Sequence, residues 1–145
     1  MQIANRSHLN EILTIERELF DQPWSEVHFE EELEKIPVSK SWVLCENNKV
    51  IGFIFGWMIE NEFHLNNIAI KKQFQGKGLG LKLINSVIEF VKSKKGNLIF
   101  LEVMHDNESA IRLYEKNGFE SVGKRKDYYT KGKHAILYTL EINNG

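Results

Sequence analysis

Apolar residues recur along the chain at two periods, and the changes of period divide it into elements. Gln2-Ile3-Ala4 reads as a short first strand. Between His8 and about Leu19, Leu9, Ile12, Ile15 and Leu19 repeat at three and four with Leu13 beside them, the stripe of an amphipathic helix. Ser7 is a suitable N-cap for it. Pro23 stops that helix, and Ser25 can cap a second one from Glu26 to about Lys35. Its Phe29, Leu33 and Ile36 are expected inward, and Glu26, Glu30, Glu31, Glu32 and Glu34 mostly outward.

The middle of the chain changes to extended apolar runs. Ser41–Glu46, Val50–Ile59 and Glu62–Ile70, turned at Asn47-Asn48 and Glu60-Asn61, predict an antiparallel meander. Asn66-Asn67 breaks the last run, either as a bulge or edge or as side chains facing solvent. Leu83, Ile84, Val87, Ile88 and Val91 then mark a helix from about Leu79 to Lys94, ended by Gly96-Asn97. Leu98–Val103 has almost no polar relief, which predicts a strand covered on both faces. Strand, helix, strand makes a right-handed βαβ unit. A short helix over Ser109–Lys116, a strand from Phe119 to Gly123, a polar and aromatic stretch at Arg125–Tyr129 and a closing strand from His134 to Ile142 complete the chain. The order βααβββαβαββ predicts an α/β (α+β) fold, a mixed sheet with helices on both faces.

Composition narrows the class. A chain of 145 residues, 42% hydrophobic, suits a single domain over 1–145. A net charge of −1 argues against direct nucleic-acid binding through a broad basic face. The longest apolar run, Val50–Ile59, is too short for a membrane span. The N-terminus shows no signal-peptide pattern. Lone Cys45 cannot form an internal disulfide and reads as a buried, inert thiol, so a cytoplasmic setting is expected. The five histidines, His8, His28, His64, His105 and His134, have no ligand spacing, and no metal is implied.

Candidate chemistry centres on Gln75-Gly76-Lys77-Gly78-Leu79-Gly80, a glycine-rich turn between a strand and a helix. Glycines there permit φ > 0 and keep Cβ atoms away from a ligand. The free N–H groups of the following helix favour an anion, so the turn reads as a phosphate or pyrophosphate seat, or else as a flexible turn without a ligand. A nucleotide-hydrolase P-loop would need Ser or Thr after Gly76-Lys77, where Gly78 stands. A dinucleotide fingerprint would need glycine at Leu81. Three further residues stand out. Glu102, near the end of an apolar strand, is either a strand-end side chain reaching water or a carboxylate whose burial raises its pKa toward a general base's range. Tyr114 is a core tyrosine or a functional one, and Asn107 a helix cap or a ligand-binding residue. The acidic second helix is a solvated face or a field for a cationic substrate.

Gln75 to Gly80, with Asn107, Ala110, Leu113, Tyr114, Gly118 and Phe119 at their spacing, resembles the GCN5-related N-acetyltransferases. Pro23-Trp24-Ser25 with Phe29, Asn67–Ile70, Leu101-Glu102-Val103 and Tyr128-Tyr129 resemble the branch that acetylates the N-terminal alanine of a small-subunit ribosomal protein. The resemblance implies the GNAT acyl-CoA N-acyltransferase fold, with a mostly antiparallel sheet whose fourth and fifth strands splay beside the pantetheine arm. It implies acetyl-CoA as co-substrate, held by Ile68, Ala69, Ile70, Gln75, Gly76, Lys77, Gly78, Leu79, Gly80, Leu81 and Asn107. It makes Glu102 the general base and Tyr114 the general acid, with a protein N-terminus as acceptor. A monomer is expected. Acetylation of a small-molecule amine (a polyamine, amino sugar or amino acid) stays open, as does a non-catalytic acyl-CoA-binding regulator. One departure is His134 before Ala135, where chains of that branch tend to carry an acid.

Overall fold

The computed structural model describes residues 1–142. Seven strands and four α-helices follow in the order β1 (Gln2–Ile3), α1 (Leu9–Leu19), α2 (Glu26–Glu34), β2 (Ser39–Glu46), β3 (Lys49–Ile59), β4 (Glu62–Ile70), α3 (Leu79–Ser93), β5 (Leu98–Met104), α4 (Glu108–Lys116), β6 (Glu120–Thr130) and β7 (Lys133–Glu141). The strands hydrogen-bond in the order β1-β2-β3-β4-β5-β7-β6. The β4–β5 pair is parallel, and β1–β2, β2–β3, β5–β7 and β6–β7 are antiparallel, so the sheet is mixed and mostly antiparallel. Two compact units divide the chain: Met1–Met58 with Asn66–Ser86, and Ile59–Leu65 with the residues from Val87 on.

In the first unit the stripe of α1 buries Leu9, Ile12, Leu13 and Ile15. They join Phe29, Val43, Val50, Phe53, Phe55 and Ala69 in one cluster. Phe29 is the buried apolar anchor of α2, its ring edge-on to Phe53 at 5.9 Å and Phe55 at 5.3 Å. The cap of the first helical segment is Asn5 and not Ser7. Its side chain accepts from the Ser7 N–H while the Asn5 N–H donates to His8 Nδ1, opening a 3-10 turn over Arg6–His8. Ser25 caps α2 as expected, accepting from the His28 N–H at 3.1 Å. Glu32 departs from the outward expectation. It is 3% exposed because its Oε1 accepts from Ser39 Oγ and Trp57 Nε1, at 2.9 and 2.8 Å. Asn47 and Asn48, with φ of 53° and 64°, make the tight turn between β2 and β3.

In the second unit the β4–β5 ladder runs from Glu62↔Leu98 to Leu65↔Leu101, stopping where Asn66-Asn67 begins. Beyond it β5 remains paired with β7 through Glu102↔Leu137, Val103↔Ile136 and Met104↔Ala135. Burial along β5 alternates: Ile99, Leu101 and Val103 are buried, whereas Leu98, Phe100, Glu102 and Met104 are partly open. The strand is therefore not covered equally on both faces. At the end of α3 the Gly96 N–H bonds the Val91 carbonyl at 2.8 Å and the Lys95 N–H bonds that of Lys92 at 3.0 Å. This is a Schellman cap. The residue with positive φ is Lys95, at 58°, rather than Gly96. The stretch at Arg125–Tyr129 belongs to the one long strand β6, whose register against β7 shifts between Arg125 and Thr130.

Candidate active site

The glycine-rich turn lies in the first unit, after a 3-10 turn over Lys72–Phe74. Gln75 ties the turn back to the end of β4, its Nε2 donating to the Ile70 carbonyl at 2.9 Å. Gly76 and Gly78 have φ of 78° and 79°, which side-chain-bearing residues rarely adopt. A Cβ on either would meet no protein atom within 4 Å, so conformation and outside space, not crowding within the chain, explain the glycines. The Lys82 N–H bonds the Gly78 carbonyl at 3.2 Å, which opens the ladder of α3. The N–H groups of Leu79, Gly80 and Leu81 are thus at the helix start, where no intrahelical acceptor exists. Lys77 Nζ stands 5.5 Å from the Phe74 ring centroid. A bare corner with helix-terminal amides suits a diphosphate.

Upstream of the turn, Ala69 is buried between the partly open Ile68 and Ile70. Gly52 of β3 lets this segment come close: a Cβ there would stand 2.6 Å from Ile70 Cδ1 and 3.0 Å from the Ala69 carbonyl oxygen. Asn67, just before the segment, donates from Nδ2 to Glu16 Oε1 at 2.8 Å. Glu16 Oε2 accepts from the Trp24 N–H at 2.9 Å. Burial pushes the Glu16 carboxyl above the ordinary glutamate range, against the pull of those two hydrogen bonds and of nearby His28.

Glu102, Tyr114 and Asn107 lie in the second unit. The side chain of Glu102 is 19% exposed, and Arg125 Nη2 of β6 stands 3.6 Å from its Oε1. Both Met104 and Arg125 are registered opposite Ala135 of β7, which brings β6 within reach of the end of β5. The Arg125 guanidinium lies 5.2 Å from the centroid of Tyr128. Tyr114, on α4, is 4% exposed, with its ring beside Phe119 and Tyr138. Burial, and secondarily Tyr129, pushes its hydroxyl far above the ordinary tyrosine value, so it holds its proton. Tyr129 is raised by its own burial and then by the Glu102 and Tyr128 charges. Asn107 caps α4, accepting from the Ala110 N–H at 3.3 Å. His134 Nδ1 accepts from the Asp127 N–H at 2.9 Å, and His105 Nδ1 accepts from the His134 N–H at 3.1 Å. The imidazole before Ala135 thus serves as a hydrogen-bond acceptor, a role a carboxylate can also fill.

Sequence reasoning singled out neither Arg125 as the neighbour of Glu102 nor Glu16 as the buried partner of Asn67. Glu16 had a signal, since it follows Ile12 by four and precedes Leu19 by three on the apolar stripe of α1. Arg125 had none, because only the β6–β7 register carries it to Glu102. Among the described residues no group of three His, Cys, Asp or Glu could hold a metal ion.

The family model "Acetyltransferase (GNAT) family" matches residues 9–119. A Bacillus subtilis relative is 33% identical over 144 residues, 99% of this chain and 93% of its own. The Escherichia coli K12 protein named [Ribosomal protein bS18]-alanine N-acetyltransferase is 32% identical over 132 residues, 89% of this chain and 88% of its own. The crystal structure of the E. coli ribosomal-protein-S18-alanine N-acetyltransferase superposes with a TM-score of 0.90 at 28% identity, covering 98% of this chain and 92% of that one. Arabidopsis thaliana NAA60 in complex with acetyl-CoA shares the fold, with a TM-score of 0.86 at 18% identity over 99% and 98% of the two chains. The chain therefore belongs to the GNAT acetyltransferase family and is an acetyl-CoA-dependent N-acetyltransferase.

Proposed function

We propose that this enzyme acetylates the N-terminal α-amine of a protein, with the N-terminal alanine of ribosomal protein bS18 as acceptor, Glu102 as base and Tyr114 as acid. The observation that carries the site assignment is one unit holding both a reachable carboxylate and a buried tyrosine that keeps its proton. The acceptor follows the E. coli relative, which is named for bS18 alanine. The amides of Leu79, Gly80 and Leu81 bind the pyrophosphate of acetyl-CoA, and Ile68–Ile70 lies along the pantetheine. Asn107 contacts the same co-substrate from the start of α4.

An α-amine has a pKa of about 8, so much of it is protonated at neutral pH. Glu102, through a water, takes that proton. The free amine then attacks the thioester carbonyl, forming the C–N bond, while a main-chain N–H near Ile70 polarises the oxygen. As the C–S bond breaks, Tyr114 gives its proton to the departing sulfur, and the proton lost by the nitrogen restores the tyrosine through solvent. No enzyme side chain is acylated.

The test follows thiol release with acetyl-CoA and a peptide carrying the bS18 N-terminus, with mass spectrometry locating the acetyl group. Acetylation at the α-amine is expected, and turnover on polyamines with none on the peptide refutes the acceptor. Glu102→Gln should lower kcat about 10²- to 10⁴-fold, the range for loss of a general base, with acetyl-CoA affinity kept. Unchanged kcat removes Glu102 from that role.

A further inference from the structure

Two carboxylates are almost wholly buried in the first unit, Glu16 at 2% and Glu32 at 3% exposure. Burying a carboxylate costs several kcal/mol, and apolar replacements of buried ion pairs are often neutral or stabilising. What each carboxylate holds therefore bears on why it is there. Glu32 braces framework: Oε1 accepts from Ser39 of β2 and Trp57 of β3, and Oε2 stands 3.7 Å from His28 Nε2. Glu16 instead joins two pieces of irregular or interrupted backbone. Its Oε2 takes the main-chain N–H of Trp24, in the connection between α1 and α2. Its Oε1 takes the side-chain amide of Asn67, the residue directly before Ile68-Ala69-Ile70.

Both partners are donors. An ionised carboxylate offers each an acceptor oxygen, whereas a glutamine offers one acceptor and turns an N–H₂ against the second donor. Trp24 in turn is fixed by its stack on His28, with ring centroids 3.8 Å apart, and by Phe29 and Phe55 at 5.1 and 5.9 Å. The carboxylate thus connects a rigid aromatic group to the polar side chain directly before the strand segment.

We propose that Glu16 is a positioning residue for acetyl-CoA: with one oxygen on the Trp24 N–H and the other on the Asn67 amide, it sets the placement of Ile68–Ile70. The inference rests on the reading of that segment as the strand that binds acetyl-CoA. The experiment is calorimetric titration of acetyl-CoA into the whole chain as wild type, Glu16→Gln, Asn67→Ala and the double variant, with Tm measured on each. Glu32→Gln is the matched control, an equally buried carboxylate without a link to Asn67. Displacements of a few tenths of an ångström should raise Kd about three- to tenfold in Glu16→Gln and in Asn67→Ala. The double variant should be no weaker than the worse single, since both break one link. Glu32→Gln should lower Tm and leave Kd in place. Independent, multiplying effects of Glu16→Gln and Asn67→Ala overturn the inference, and so does a Kd that tracks Tm equally in the Glu16 and Glu32 variants. Where Glu16→Gln does not fold, an unchanged Kd in Asn67→Ala overturns it. Failure of the wild type to bind acetyl-CoA strikes the acetyl-CoA reading itself, and the inference falls with it.

Discussion

Gly52→Ala is the substitution whose consequence the structure defines most closely. The new Cβ would stand 2.6 Å from Ile70 Cδ1, 3.0 Å from the Ala69 carbonyl oxygen and 3.7 Å from Ile70 Cα. The methyl group can rotate away, but the carbonyl is main chain. It must retreat to ordinary contact, about 0.3–0.4 Å further out, and β4 is held nearby by the Lys71 N–H bond to the Ile51 carbonyl at 2.8 Å. Overpacking of this kind costs about 1–3 kcal/mol, and the stiffer unfolded chain returns roughly 0.4–1 kcal/mol. The net cost is at most about 2.6 kcal/mol, so at about 2–4 °C per kcal/mol for a chain near this size Tm should fall by up to about 10 °C. If a misplacement of about 1 Å costs roughly 10²-fold, one of about 0.3 Å costs about fourfold, which is the expected loss in kcat/KM for acetyl transfer. Differential scanning fluorimetry and the thiol-release assay measure the two effects. The double variant Gly52→Ala/Ile70→Val separates them. It removes the Cδ1 clash, so it should recover part of Tm, but it leaves the carbonyl clash and should not recover kcat/KM. Wild-type values of both quantities in Gly52→Ala would refute the reasoning, because β4 would then slide without consequence.

Three further outcomes are expected. Gly78→Glu should abolish measurable acetyl-CoA binding by calorimetry, since bulk and negative charge would enter the proposed pyrophosphate seat at a residue with φ of 79°, and retained affinity would remove the seat. Lys95→Gly should raise stability to urea by roughly 0.5–1 kcal/mol without changing turnover, because Lys95 carries the left-handed position of the α3 cap at 58°; no gain would show that this position is unstrained. Glu16 has a folded-state pKa raised above its ordinary 4.5, so the native chain binds that proton more readily than the unfolded one. The stability of the wild type relative to Glu16→Gln should therefore be greatest below about pH 4.5 and decline as pH rises through the raised native value. Urea unfolding of both proteins across that window measures it, and a difference that grows with pH would contradict the assignment.

Local rules made much of the fold legible, and the exceptions mark where distant partners take over. The apolar repeat of α3 and the paired asparagines after β2 depend on neighbours within a few residues, and the structure has them as expected. The caps slipped because a neighbouring residue could do the same job: Asn5 in place of Ser7, and Lys95 in place of Gly96. The strand character of Lys124–Tyr129 was hidden by its charges, which suit an edge strand paired only with β7. The burial alternation of β5 was hidden because Phe100 and Met104 are apolar yet partly open, so hydropathy does not separate the two faces.

The buried acids give the sharpest case. By residue type Glu16 and Glu32 belong outside, and their helices carry other glutamates that are indeed exposed. Each is admitted to the interior by donors from other elements: Asn67 from β4, Trp57 from β3, Ser39 from β2. Sequence can flag only the first half of that arrangement, an acid at an apolar position of a helical stripe. Where a carboxylate replaces a cheaper apolar residue, the useful question is which donors it joins. For Glu16 the answer ends one residue before the strand segment proposed to bind acetyl-CoA, and it begins at Trp24 of the Pro23-Trp24-Ser25 motif.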